Sequence, residues 1–263
     1  MRILVTNDDG IESVGLRVLA ERLAADGHDV FVVAPTSDRS GAGAAIGPLH
    51  QAGPMPVVEH YWPALGQPAY AIDAPPAAAA YAACLGGFGD PPDIVVSGIN
   101  PGPNTGHLVL HSGTVGAAMT GAVLGVPALA VSIGIGAPVH WASAAEYAAG
   151  AVDWVLARAD TPLTLNMNVP NVPFEAIKGI REAELARYGS VWAATASGTD
   201  GYVSIEFAGS KTPAPPDSDL AVLLDGYVAV TPLACIERYA PADDPSVATG
   251  AAETIAARLA QHA

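Results

Sequence analysis

Apolar and polar positions along the chain change period several times, and each change marks a predicted element. A short aliphatic run, Ile3-Leu4-Val5, ends at Asn7-Asp8-Asp9-Gly10. Beyond it, Leu16, Leu19, Ala20 and Leu23 recur at the spacing of one helix face and Gly27 supplies a stop, so a helix is predicted over 14–25. A second aliphatic run follows at 30–34. Strand, helix and strand within about thirty residues make a βαβ unit. Strands that are apolar at successive positions imply a parallel sheet covered on both faces.

The same order returns further on. Strands are predicted at 94–97 and 128–132, with a helix over 114–124 between them and a Gly- and Asn-rich loop from Gly98 to Gly113 leading into it. After Pro127 the signals are a helix at 142–159, a strand at 163–166, a clear alternation at 202–207 that suggests an antiparallel arm, a Pro-rich loop at 211–219 and a terminal helix at 249–261. No internal repeat is present. In an open parallel sheet ligands sit beyond the carboxyl ends of the strands, so the loops after Val5, Ala34 and Val96 are expected to converge on one crevice.

Composition narrows the function. At 263 residues with 51% apolar residues, the chain can bury a full core. Its net charge of −15 argues against DNA or RNA as a partner, because polyanions are held by many Lys and Arg. A phosphate-bearing ligand would therefore need a local cation, and a bound divalent metal supplies one. No stretch of about 20 apolar residues suits a membrane span, and the first residues lack the order of a secretion signal, so a cytoplasmic protein is expected. Two cysteines, Cys84 and Cys235, are too few for a disulfide framework and are read as buried free thiols.

The three loops hold the candidate chemistry. Asp8 and Asp9 follow the first strand directly, and adjacent carboxylates repel unless protons or a cation compensate them. A helix-capping Asp is the structural alternative. After the second strand, Ser40 offers an oxygen and Gly41 and Gly43 let backbone N–H groups approach an anion, although such a loop is also an ordinary connection. Arg39 suits a phosphate or a pairing with Asp38. In the third loop Asn100 offers its carbonyl oxygen to a metal. Ser112-Gly113-Thr114 opens a helix whose free N–H groups suit an anion, with an ordinary N-cap as the alternative.

In this order, Asn7-Asp8-Asp9-Gly10, Arg39-Ser40-Gly41, Ser97-Gly98-Ile99-Asn100 and Ser112-Gly113-Thr114-Val115 resemble the SurE family of survival-protein nucleotidases. Pro92-Asp93, Gly125-Val126-Pro127-Ala128, Asn166-Met167-Asn168-Val169-Pro170, Gly226-Tyr227 and Thr231-Pro232-Leu233 extend the resemblance over most of the chain. It implies an α/β fold: a Rossmann-like, doubly wound, mostly parallel sheet with a C-terminal β-rich oligomerisation arm. Residues 1–188 would form the catalytic core, and 189–263 the arm, hairpin and terminal helix of the same domain. The resemblance further implies a homodimer or homotetramer whose arm exchanges between subunits. By position Asp8, Asp9, Ser40 and Asn100 match the family's metal ligands, and Asn100, Gly41, Gly43, Ser112, Gly113 and Thr114 its phosphate cradle. Oxygen donors without a Cys or His cluster favour one Mg²⁺ or Mn²⁺ per subunit over zinc.

The implied activity is hydrolysis of nucleoside 5′- or 3′-monophosphates by a metal-activated water, with Asp8 or Asp9 orienting or deprotonating it. An aspartyl-phosphate route of the haloacid-dehalogenase kind fits less well, since that pattern separates its aspartates by one residue. The first turn also lacks the Gly-x-Gly-x-x-Gly of a dinucleotide-binding dehydrogenase. This chain departs from the family in three places: Ala74-Pro75-Pro76-Ala77-Ala78-Ala79 replaces a Gly-Thr-Pro-Ala-Asp-Cys-like segment, His107 stands where an acidic residue is common, and Thr120-Gly121 replaces Glu-Gly. These changes keep open a phosphatase for a non-nucleotide metabolite and a non-catalytic nucleotide- or metal-binding homologue. His107 and His111 are candidates to protonate a leaving oxygen, while Leu108-Val109-Leu110 between them suggests a packed segment.

Overall fold

The computed structural model describes residues 1–47, 53–160, 163–187, 192–199, 201–208 and 213–234. In chain order the elements begin with β1 (Arg2–Thr6), α1 (Val14–Ala25), β2 (Asp29–Pro35), β3 (Val57–Tyr61), β4 (Pro68–Ile72), α2 (Pro76–Cys84) and β5 (Ile94–Pro101). They continue with α3 (Gly113–Val123), β6 (Ala128–Ile133), α4 (Trp141–Leu156), β7 (Leu163–Val169) and β8 (Ile180–Glu182). A hairpin, β9 (Trp192–Thr199) with β10 (Tyr202–Ala208), precedes α5 (Asp219–Leu224) and β11 (Val228–Ala234).

Nine strands form one sheet in the order β3-β4-β2-β1-β5-β6-β7-β11-β8. The six from β4 to β7 run parallel, while β3 and β11 pair antiparallel with β4 and β7. Because successive strand side chains point to opposite faces, the aliphatic runs feed two cores at once. Ile3, Val5, Val32 and Val96 pack with Leu16, Leu19 and Leu23 of α1 and Ala148 and Val152 of α4. Leu4, Phe31, Val33 and Val95 face the other way, onto alanines of α2 and Val115, Ala117 and Ala118 of α3. Helix α1 stops at Gly27, whose φ of +83° suits glycine and whose N–H donates to the Ala24 carbonyl.

The chain runs outward from β1 to β2 and β4 and then returns to the other side of β1 with β5. This reversal opens a crevice at the carboxyl ends of β1 and β5, the place where ligands bind in open α/β sheets. The expected parallel, doubly wound architecture is therefore present, and its reversal sits where the first and third candidate loops emerge.

Several elements differ from their expected form. β5 runs on through Pro101, so the loop once read from Gly98 is shorter, and it contains a 3₁₀ segment, Gly106–His111. Leu108-Val109-Leu110 is packed in part: Val109 is half-buried against the core of α2 and α3, whereas Leu110 is 74% exposed. Asp219, placed in a loop by the prolines before it, is the first residue of α5, which Ser218 caps. β3, β4, α2, α5, β8 and β11 were not anticipated. The helix expected at 249–261, Cys235 and the 188/189 boundary lie outside the described residues. Cys84 is a buried free thiol, pushed up to about 11 by that burial. Among the described residues no helix is long and apolar enough to cross a membrane.

Candidate active site

Asn7 builds the first wall of the crevice. It is fully buried, accepts the Gly10 N–H at 3.2 Å on its side-chain oxygen and donates its amide to the Gly10 carbonyl at 3.2 Å. This local ring closes the turn that the positive φ of Gly10 permits, and it fixes the direction in which Asp8 and Asp9 leave the strand. The motif by itself assigns Asn7 no role, although an Asn three residues before a glycine is a readable turn signal.

Asp8 is 3% exposed and Thr114 of α3 donates its hydroxyl to Asp8 Oδ1 at 2.5 Å. The start of α3 lies directly against this carboxylate: a Cβ added at Gly113 would stand 2.6 Å from Asp8 Cβ and 2.8 Å from its Oδ2. Glycine at 113 is thus required by close approach. Ser112 is the N-cap, its Oγ accepting the Val115 N–H at 3.1 Å, so capping and the approach to Asp8 coexist. In the first helical turn the Val115 and Gly116 N–H groups are taken by Ser112 and the Thr114 N–H faces the Asp8 carboxyl.

The second loop is tied to the first by the Arg39 N–H, which donates to the Asp8 carbonyl at 2.7 Å. Ser40 donates its hydroxyl to Asp38 Oδ1 at 2.6 Å, and its N–H reaches the same oxygen at 2.8 Å. These bonds hold the Asp38 carboxyl below its ordinary range. Arg39 pairs with Asp73 beyond β4, rather than with Asp38. Gly43 donates its N–H to the His111 carbonyl at 3.1 Å, so its part is to seat the loop on α3 and not to offer that N–H to an anion. Gly116 of α3 makes this seat possible, since a Cβ there would meet the Gly43 carbonyl oxygen at 2.3 Å. Gly41, with φ +84° and open space around it, keeps its role as a turn.

Asn100 stands near the end of β5, after a shift of register against β6 between Ser97 and Asn100 that re-aims the strand. Its amide nitrogen donates to the Gly102 carbonyl at 2.6 Å, which leaves the amide oxygen as a ligand. His107 and His111 are both exposed on the 3₁₀ segment. Thr120, in place of the family's Glu, closes its hydroxyl onto the Gly116 carbonyl one turn back at 2.7 Å. The segment 74–79 enters α2, whose Ala77, Ala78, Ala79 and Ala80 are fully buried, so the lost polar residues have become helix packing.

Electrostatics test the donor set. Burial raises the Asp8 carboxyl, opposed mainly by the Thr114 hydroxyl. Asp9 is pushed up to about 7 by burial and by the like charges of Asp8 and Asp38. The neighbouring arginine, Arg39, is engaged with Asp73. Among the described residues no group of three or more His, Cys, Asp and Glu is arranged to hold a metal ion by itself. Two crowded carboxylates, an amide oxygen and a serine oxygen close by suit a hard divalent cation, whose charge relieves the repulsion that lifts Asp9. Ser40 fits this set as it stands: its hydroxyl hydrogen goes to Asp38, which leaves the lone pairs of its oxygen for a cation.

Comparison with known proteins gives the same direction. A family model described as Survival protein SurE matches residues 3–191. The 5′-nucleotidase SurE of Desulfitobacterium hafniense (strain Y51) is 37% identical over 239 residues, covering 89% of this chain and 90% of the relative. That of Anaeromyxobacter dehalogenans (strain 2CP-C) is 41% identical over 247 residues and covers 89% of each. The crystal structure of the SurE protein from Aquifex aeolicus superposes with a TM-score of 0.73 at 30% identity, over 90% of this chain and 95% of that one.

Proposed function

The chain belongs to the SurE survival-protein family, and on that premise we propose that it is a phosphomonoesterase that releases phosphate from nucleoside 5′- or 3′-monophosphates. One observation carries the reading: the buried Asp8 carboxylate is locked to Thr114 at the start of α3, so a cation site and an anion site share one wall.

Asp8, Asp9, Asn100 and Ser40 would hold the cation, Ser40 through the lone pairs of an oxygen whose hydrogen is given to Asp38. All four donors are oxygen, which favours Mg²⁺ or Mn²⁺. When bound, the cation supplies Lewis-acid polarisation of a phosphoryl oxygen and a water of lowered pKa. The chain's own residues do the rest. The Gly113 N–H receives the phosphate oxygens at the positive end of α3, with Ser112 and Gly41 completing the cradle, while Thr114 keeps its N–H and hydroxyl on Asp8. Thr114 holds Asp8 rigid. Asp9, less fixed, orients the attacking water in line with the leaving oxygen and takes its proton on a carboxylate oxygen.

The proposal extends to assembly and place. Val203 and Ile205, two residues apart on one face of β10, and Tyr202 on the other are more than half exposed, apolar surface that suits exchange between the subunits of a homodimer or homotetramer. Residues 189–263 would then serve as the arm of the same domain, although β11 within that range belongs to the main sheet. A soluble mononucleotide substrate suits a cytoplasmic enzyme.

The test is phosphate release from a panel of mononucleotides and other phosphate esters with Mg²⁺, Mn²⁺ or EDTA, alongside Asp9→Asn. Turnover of mononucleotides abolished by both EDTA and Asp9→Asn is expected. A folded protein that releases phosphate from no ester with either metal refutes it, and a strong preference for a non-nucleotide ester refutes the substrate class.

A further inference from the structure

The mechanism leaves unused a second buried carboxylate, Asp219. It is fully buried at the first position of α5, in the part of the chain furthest from the catalytic loops in sequence. Burial pushes its carboxyl up, while backbone donors oppose this. Its two oxygens are divided in a definite way. Oδ1 accepts the N–H of Ala186 at 3.0 Å and that of Leu220 at 2.8 Å. Oδ2 accepts the N–H of Gly106 at 2.7 Å. Alongside, the His107 N–H donates to the Ala186 carbonyl at 3.1 Å and the Asp219 N–H to the Glu184 carbonyl at 2.8 Å.

Gly106 sits between Asn100 on the cation side and Ser112-Gly113-Thr114 on the phosphate side. The first half of this loop is already held by the sheet: Asn104 donates its N–H to Asn168 Oδ1 and its amide to Ser132 Oγ, both at 2.8 Å, and its carbonyl accepts the amides of Asn166 and Asn168. From Gly106 onward the hold passes to Asp219 and Ala186, with the Gly43 N–H on the His111 carbonyl at the far end.

We propose that Asp219 is a positioning residue that couples the C-terminal arm to the cation and phosphate loop, setting the span between Asn100 and the start of α3. The inference rests on the proposed function for its effect on catalysis, though not for the coupling itself. A carboxylate suits this point because it offers acceptors on both oxygens and no donor, its hydrogen-bond partners Gly106, Ala186 and Leu220 each present an N–H, and the His107 side chain nearby favours its charge.

Asp219→Asn is a selective probe. The amide keeps one acceptor for Ala186 and Leu220 and turns a donor toward the Gly106 N–H, so the arm stays tied and the loop is released. Mn²⁺ binding measured by titration of the metal alone should weaken about 10- to 100-fold, with kcat/KM falling by a similar factor, the range found when an outer-shell partner of a metal site is removed. Amide exchange across 102–112 should quicken in the folded protein. Thr231→Val is the comparison: it removes the bond from Thr231 Oγ1 to the Ala183 carbonyl, 2.9 Å, in the same arm. It should lower the Tm and leave Mn²⁺ affinity, kcat/KM and loop exchange as they were. If Asp219→Asn matches Thr231→Val in all these measurements, the coupling is refuted. If Asp219→Asn does not fold, wild-type exchange decides: the Gly106 and Ala186 amides should open together, and Gly106 opening alone refutes the coupling. A wild-type protein that neither binds Mn²⁺ nor hydrolyses an ester removes the functional premise, and loop exchange then tests the coupling by itself.

Discussion

Gly113→Ala is the sharpest perturbation of the site, because it adds a single methyl group where two elements meet. The new Cβ would stand 2.6 Å from Asp8 Cβ, whereas ordinary contact begins at 3.4 Å, so Asp8 or the helix start must retreat by about 0.8 Å. Asp8 has little freedom to do so, being 3% exposed and bonded to Thr114. Two effects on stability oppose each other. Overpacking costs about 1–3 kcal/mol, and replacing a helical glycine by alanine returns about 0.5–1 kcal/mol. The net loss of roughly 0–2.5 kcal/mol leaves a folded protein, with a Tm lowered by several degrees at most. Catalysis is more sensitive, since a displacement near 1 Å at a reacting centre costs on the order of 10²-fold. The assay is steady-state phosphate release from a mononucleotide with Mn²⁺, paired with Mn²⁺ titration and thermal melting. Gly150→Ala is the control: it lies in α4 with nothing within 4 Å of an added Cβ, so it should gain about 0.5–1 kcal/mol and keep full activity. A Gly113→Ala protein with wild-type kcat/KM and wild-type Mn²⁺ affinity would refute the claim that Asp8 and the start of α3 form one wall.

Two further outcomes follow from the same contacts. Thr114→Val removes the hydroxyl that Asp8 accepts and leaves a buried carboxylate short of a donor, so stability should fall by about 1.5–3 kcal/mol in urea unfolding. Mn²⁺ should restore part of that loss by binding the folded form alone, and failure of Mn²⁺ to stabilise the variant counts against Asp8 as a ligand. Cys84, raised to about 11, should react with a thiol reagent at pH 8 about 100-fold more slowly than a thiol at the ordinary 9.0. Raising the pKa of an acid lowers the anionic fraction at fixed pH, and burial slows access further. The measurement is reagent uptake in a Cys235→Ser background before and after denaturation, and rapid native labelling would contradict the buried environment.

The half of the fold that was legible in the sequence is the half with a strong period. β1, α1 and β2 could be read because aliphatic runs and one helical face differ in spacing, and Gly27 marks the stop. Helix α2 was missed for the opposite reason: its alanines are buried on nearly every side, against the sheet and α3, so no amphipathic period survives. β8 and α5 are too short to carry one, and β11 was obscured because it pairs antiparallel with β7 across the 58 residues from 170 to 227, a choice that no local pattern encodes.

The candidate site divides in the same manner. Asp8, Asp9 and Asn100 were legible because each stands near the end of a strand, where chain direction alone brings loops together. What those residues need in order to act was not legible, because it depends on contacts between distant segments. Thr114 reaches Asp8 across 106 residues, and Gly106 reaches Asp219 across 113. The Gly43 N–H illustrates the converse: a glycine in a Gly- and Ser-rich loop reads as an anion donor, yet its N–H is held by the His111 carbonyl and its lack of a side chain serves the approach to the Leu110 carbonyl oxygen, 2.8 Å from an added Cβ. A local motif therefore names the atoms of such a site, while the packing of α3 against β1 and of the arm against the third loop decides where those atoms stand. Substitutions at Gly113, Gly116 and Asp219 should consequently impair the enzyme although none of the three supplies a side chain to the metal.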